Sequence, residues 1–296
     1  MTDSPPTASR QIARAAGTVM FAIVLGQITG LVRGILVARA FPAAELDAFF
    51  AANRVSETLF MLLAAGALGS AFIPTFTGFL AKEDKASAWK LAASIANLLV
   101  LTLSLIAALA AIFAPQIVRY ALAPGLASDP MLFPLTVNLL RIQLVSAVLF
   151  GLGGLIVGIL NAHQVFLIQA LTPSMYQLGM IFGVLALAPK MGIYGLAWGV
   201  VIGAALYLLL QIPSLLKQKG IYSPALGLDN PAAREVFRLM VPRVLGVAVV
   251  QLNFWVNTWL ASQMVSGSVA GLQYGFSLML MAQATIARMS VPETLG

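Results

Sequence analysis

The 296-residue chain contains no cysteine and a single histidine. The first absence excludes disulfides, thiolate catalysis and Cys-ligated metals. His163 lies in the short polar stretch Asn161-Ala162-His163-Gln164 and reads as a turn residue rather than a proton relay or metal ligand. Charge is scarce as well. Charged residues make up 9% of the chain, against about 25% in a soluble domain, which is too few to solvate a globular surface. Chemistry-bearing motifs are missing too: there is no P-loop, no H-E-x-x-H, no G-x-S-x-G, and no carboxylate cluster beyond Glu83-Asp84. A chain so built is not itself an ATP-driven pump and lacks the acid–base groups that a lipid-modifying enzyme needs. The expectation is a non-enzyme with no catalytic residues, no cofactor and no metal.

What the chain has instead is apolar length. Hydrophobic residues account for 60% of it and mean hydropathy is +0.94. About 20 apolar residues cross the hydrocarbon core as a helix. Eight such stretches can be read, at 15–40, 48–80, 91–115, 133–160, 165–188, 192–215, 236–262 and 269–290. They do not alternate as barrel strands would: Gly199 to Leu210 is apolar throughout. The fold class is therefore all-α, a polytopic membrane protein of about eight transmembrane helices.

The net charge of +7 raises the question of nucleic acid, and the positions of the charges answer it. If the spans alternate, Arg10, Arg14, Lys82, Lys85, Lys90, Lys217, Lys219, Arg234, Arg238 and Arg288 share one side, against Arg39, Arg119 and Lys190 on the other. That bias is a topology signal which places the N-terminus in the cytoplasm. Nucleic acid is not an expected partner; membrane lipids are. The first apolar stretch is too long for a signal-peptide core and lacks an A-x-A exit.

Breaks at Pro42 to Glu45, Lys82 to Lys85, Pro124 to Pro130 and Ala188 to Lys190 separate the spans, and Lys217 to Ala233 is the longest polar interval. The expected organisation is a flexible cytoplasmic tail at 1–14, a six-helix lobe at 15–216, a cytoplasmic linker at 217–233, and the first two helices of a second lobe at 234–296. Two helices make a poor domain, so a truncated or split transporter is expected, with another chain as a candidate source of the missing C-terminal helices. Gly26, Gly30 and Gly34 form one small-residue stripe and Gly195, Gly199 and Gly203 another, a pattern that lets helices approach closely in lipid. Pro74, Pro173 and Pro242 suggest kinks or broken helices.

Arg33, Arg54, Glu57, Arg141 and Arg243 fall within or beside spans. An intramembrane charge costs about 2.5–3.5 kcal/mol on insertion scales and is a functional hypothesis by default. Arg54 and Glu57, three apart, share a face and can neutralise one another. Arg141 and Arg243 lie near enough to span ends to snorkel. Arg33 has no acidic neighbour at helical spacing; unless Asp47 reaches it, it should face a wet cavity and offer its guanidinium fork to an anion.

The order Gly30-Leu-Val-Arg33-Gly-Ile-Leu-Val-Ala-Arg39-Ala-Phe41, Leu46-Asp47-Ala-Phe-Phe50 and Gly66-Ala-Leu-Gly-Ser-Ala-Phe-Ile-Pro74 resembles the start of the MurJ/MviN lipid II flippases. These belong to the multidrug/oligosaccharidyl-lipid/polysaccharide exporter superfamily. Leu140-Arg141-Ile142, Gly158 to Ala162, Gly195 to Gly199, Gln211-Ile-Pro213 and Gly267 to Tyr274 continue the likeness over nearly the whole chain. It implies two helical lobes around a cationic cavity in the bacterial cytoplasmic membrane, and an undecaprenyl-pyrophosphate-linked glycan as partner and cargo. Arg33 and Asp47 match charged positions important in that family; Arg54 is a further candidate cargo contact, with Gln27, Glu57 and Ser277 as secondary ones. Three cavity arginines of the family pattern fall here on Gln27, Phe60 and Ser277, and its acidic residue before Gly66-Ala67 is Ala65. The leading expectation is a lipid II flippase working by alternating access. The alternatives are a divergent exporter of another polyprenyl-linked or amphipathic cargo, and a non-transporting scaffold.

Overall fold

The computed structural model describes residues 8–62, 71–222, 224, 227 and 230–289. Among these the chain is helical and contains no strand. Its principal helices are α1 (Ala8–Ala40), α2 (Ala43–Phe60), α3 (Ile73–Ala81), α4 (Lys85–Ile112), α5 (Leu132–Ala162), α6 (Phe166–Phe182), α7 (Ile193–Lys217), α8 (Pro231–Ala261) and α9 (Ser268–Met289). Wide π-type turns occur at Ile117–Leu122 and at Gly183–Leu187, the latter extending α6.

Among the described residues, six stretches are long and apolar enough to cross a membrane: Gly17–Ala40, Lys85–Ile112, Leu132–Ala162, Phe166–Met191, Ile193–Lys217 and Pro231–Ala261. They coincide with six of the eight expected spans. The second expected span comprises α2 and α3 on either side of 63–70, which lie outside the described residues together with Ala65 and most of the Gly66–Pro74 motif. The eighth is α9, apolar over Ser268–Met281. The protein is a multi-pass helical membrane protein.

Local chemistry explains three of the helix starts. Asp84 accepts from the Ser87 backbone N–H at 3.0 Å and caps α4. Hydrogen bonds from Ser87, hydroxyl first and backbone second, hold the Asp84 carboxyl below its usual range. Asn230 caps α8 by accepting from Ala232 N–H at 3.0 Å, with Pro231 opening the helix where no N–H is needed. Gly192, at φ +57°, turns the chain into α7 in a conformation that a side chain would strain. α1 begins at Ala8, inside the stretch expected as a tail, and residues 1–7 lie outside the described set. Pro74 is in the first turn of α3, directly after a π-type turn at 71–72. Pro173 and Pro242 do lie inside α6 and α8.

α5 is the central post, packed against α2, α4 and α7, while α6 packs between α1 and α7. One apolar core gathers Phe49, Leu140, Leu144 and Leu196 with Ala261, Val269 and Ala270 from the α8–α9 corner. A second joins Phe72, Phe76, Leu91 and Ile95 to Ala233, Val236 and Met240 at the start of α8. The α8–α9 pair is thus anchored at both ends of α8.

The two glycine stripes behave differently. On α7, Gly195, Gly199 and Gly203 meet Gly179 and Gly183 of α6 backbone to backbone. A Cβ added at Gly183 would lie 2.7 Å from the Gly195 carbonyl oxygen, and one at Gly199 would lie 2.9 Å from Gly183 Cα. On α1 the approach is looser: a Cβ at Gly30 would lie 3.6 Å from Gln177, and at Gly34 it would meet nothing within 4 Å.

Candidate functional site

α2 builds the largest share of the wall of a cavity of ≈ 320 Å³. Phe49, Asn53, Ser56, Glu57 and Phe60 recur at helical spacing along it, so one side of the helix carries both aromatic and polar groups. α1 contributes Arg33, α5 Ser146 and Phe150, α6 Tyr176 and Met180, α7 Tyr207, and α9 Gln273. The cavity therefore lies where the first seven helices meet the α8–α9 pair.

Arg33 is half-buried on this wall, with one guanidinium nitrogen 3.6 Å from the Met180 sulfur. The one ion pair among the described residues involves other groups, so the Arg33 fork faces the cavity with no carboxylate partner. Asp47 does not reach it. Its buried carboxylate accepts the backbone N–H of Gly267, and that of Ala270 at 2.8 Å. Asp47 thus caps the N-terminal end of α9, where a negative charge also complements the helix dipole.

Arg54 is buried, and its charge is shared among three groups. It pairs with Glu57 at 3.0 Å, as the spacing suggested, donates to Gln273 of α9 at 2.7 Å, and lies 5.2 Å from the centre of the Phe254 ring of α8. Beside it, Trp255 of α8 donates to the Thr58 hydroxyl at 2.9 Å. At the α8–α9 corner, Gly125 N–H donates to Ser262 Oγ at 3.3 Å. These contacts fasten α8 and α9 to the first seven helices around the cavity.

The other candidates separate. Glu57 and Phe60 line the cavity, and Phe60 packs on Phe150 with ring centroids 5.2 Å apart. Gln27 is half-buried on α1 outside the cavity lining, and the Ser277 hydroxyl donates to the Gln273 carbonyl at 2.8 Å, also outside the lining. Arg141 donates to the Ala111 carbonyl at 3.1 Å and so serves the C-terminal turn of α4. Arg243 is exposed on α8. His163 Nδ1 lies 2.9 Å from the Ile159 carbonyl, beside Phe76 and Trp89, as a turn residue would. Among the described residues no group of side chains has the composition of a metal site. Tyr176, Tyr207, Asn53 and Gln273 were not singled out from the sequence. The period of α2 could have revealed Asn53 beside Glu57, whereas nothing local marks Gln273.

Residues 37–291 match the family model described as lipid II flippase MurJ. A curated lipid II flippase MurJ of Burkholderia cenocepacia is 33% identical over 273 residues, covering 90% of this chain and 53% of the relative. A probable lipid II flippase MurJ of Vibrio cholerae is 30% identical over 284 residues, covering 92% and 54%. The chain spans about half the length of the curated relatives it matches. Among solved structures, a lipid II flippase MurJ in an inward closed conformation superposes with a TM-score of 0.75 at 28% identity, covering 89% of this chain and 54% of that one. A superfamily transporter from Pyrococcus furiosus superposes at 0.66 with 18% identity, a likeness of fold alone.

Proposed function

The chain belongs to the lipid II flippase MurJ family, and on that premise we propose that it forms part of a flippase for the lipid-linked peptidoglycan precursor. The family is one of transporters, not enzymes. The cargo would be an undecaprenyl-pyrophosphate glycan crossing the bacterial cytoplasmic membrane by alternating access. The observation that carries this reading is Arg33: a cation on the wall of a cavity between helix groups, with its fork unpaired by any carboxylate. Such a fork suits bidentate binding of a phosphate.

The cavity is small for this cargo. At ≈ 320 Å³ it sits at the low end of small-ligand pockets, so the helix groups must part for a lipid-linked glycan to enter. The contacts of Asp47, Arg54, Thr58 and Gly125 with α8, α9 and the corner between them are then the fastenings that open and re-form. We place the N-terminus and the lysine-rich helix ends in the cytoplasm, on the charge bias. Helices corresponding to the other half of the relatives complete the second lobe, from this polypeptide or another.

A specific observation also favours a divergent cargo. Where the family pattern has a cavity arginine, Phe60 packs against Phe150 with tilted rings, and Glu57 brings negative charge to the same wall. Titration of lipid II into the parent and the Arg33→Ala variant tests the two readings. The charge-assisted contact contributes about 1.5–3 kcal/mol, so Ala should weaken binding roughly tenfold or more, with partial rescue by Lys, which lacks the fork. Equal affinity in both, or none in either, would reject Arg33 as a cargo contact.

A further inference from the structure

A second site lies away from the central cavity, on the lysine-rich face. Lys85 and Lys90 at the start of α4 and Lys217 and Lys219 at and just beyond the end of α7 surround a pocket of ≈ 640 Å³. Among the described residues no carboxylate lines it. The nearest acids in sequence are Glu83, which is exposed, and Asp84, which is committed to capping α4. Trp89 and Ile221 line this pocket and also a second one of ≈ 270 Å³, so the two adjoin. The second is an apolar groove whose walls are α4, at Ala93 and Ala96, and the end of α7, at Leu215; its floor is α5, at Leu152 and Ile156. The segment after α7 borders the groove alongside α4. There Gly220 lies against the Trp89 ring, and the Tyr222 hydroxyl donates to Asn97 at 2.7 Å.

We propose that this mouth and groove form one binding site for an anionic glycerophospholipid, with its phosphate among the lysines and one acyl chain along the groove. The dimensions agree. From Lys85 to Ala96 a helix rises roughly 16 Å, about half of a ~30 Å hydrocarbon core, which is the depth of one leaflet. A basic pocket between transmembrane helices at one membrane face has the chemistry of an anionic headgroup site. Trp89, at the junction, stands where an amphipathic ring favours the interface. A zwitterionic headgroup would gain little from four ammonium groups that no carboxylate in the pocket offsets. The apolar groove also gives the site a reason to prefer a lipid to a soluble phosphate.

The test uses the 296-residue chain in phosphatidylcholine nanodiscs doped with acyl-brominated phosphatidylglycerol or acyl-brominated phosphatidylcholine. The difference in quenching between the parent and Trp89→Phe isolates the Trp89 signal. Brominated phosphatidylglycerol should quench Trp89 at roughly a tenfold lower mole fraction than brominated phosphatidylcholine. The preference should shrink as salt rises. Lys90→Gln with Lys217→Gln should remove most of it, while Lys→Arg at both positions keeps it and controls for folding. Ala96→Phe, which fills the groove without touching charge, should reduce quenching by the anionic lipid. Equal quenching by the two lipids in the parent chain overturns the proposal, as does a preference that survives the double Gln variant. An unchanged signal in Ala96→Phe means attraction to an anionic surface only, with no seated lipid, and overturns it equally.

Discussion

Arg33 and Arg54 are both arginines inside the membrane, yet their surroundings assign them opposite roles. Arg54 engages both terminal nitrogens with Glu57 and Gln273, so little of its charge remains for a cargo. Among the described residues, the hydrogen-bond partner of the Arg33 side chain is the Met180 thioether. Asp47 is the third charged residue of the group, and its place was not legible in the sequence. Its partners lie 220 and 223 positions away and are backbone amides, which carry no side-chain signature. The same holds for Gln273, 219 positions from Arg54. By contrast, the Arg54–Glu57 pair and the lone state of Arg33 followed from helical spacing, because interactions three or four residues apart are fixed by the helix itself. A hydrogen bond to an ionised acceptor contributes about 1.5–3 kcal/mol. Asp47→Asn, which removes the charge and one of two acceptor oxygens, should therefore loosen the start of α9. Faster hydrogen exchange at Gly267 and Ala270 than in the parent is the expected result. Unchanged protection there would show that the cap does not hold the α8–α9 corner.

Helices were legible from apolar length and their breaks from polar and proline-rich intervals, whereas the capping roles of Asp84, Asn230 and Gly192 came from the structure. Which helix faces which was not legible either. Both glycine stripes have the same spacing, and only the structure shows that α7 uses its stripe against Gly179 and Gly183 while Gly34 on α1 opens onto space. The difference sets opposite expectations for one substitution. Gly199→Ala and Gly183→Ala place a methyl group against backbone that cannot rotate away, and overpacking of that kind costs about 1–3 kcal/mol. Gly34→Ala meets nothing and gains helix propensity, worth roughly 0.5–1 kcal/mol. Melting of the purified chain in detergent should fall for the first two and hold or rise for the third. A drop of similar size in all three would mean that the α6–α7 contact is no closer than the rest of the bundle.

For the whole molecule, alternation of the spans has a consequence that the structure lets one check. Lys85 and Lys90 begin α4 while Lys217 and Lys219 follow α7, 127 or more positions later, yet all four border one pocket. Those helix ends therefore share a face, as the charge bias required. Asp47 with Gly267, and Gly125 with Ser262, meet at connections that fall on the opposite face by the same alternation. The exterior of α8 presents Leu245, Val249, Leu252 and Val256, all exposed. In a bilayer such a surface rests in lipid or against further helices, and the relatives' additional length supplies candidates for the latter. If helices do cover it, the chain alone in detergent should self-associate through this surface, and replacing Val249 and Val256 with Ala should shift it toward monomer in sedimentation; a monomeric parent would argue against an unpartnered face. Orientation has a cleaner assay, because the chain has no native cysteine to interfere. Ala86 and Ser128 are both exposed, one beside the lysine pocket and the other in the connection between α4 and α5. A membrane-impermeant maleimide applied to intact cells should modify Ser128→Cys and spare Ala86→Cys until the membrane is permeabilised. The positive-inside bias demands this order. Labelling of both from outside would break the alternation of spans, whereas the reverse order would keep the fold and invert its direction in the membrane.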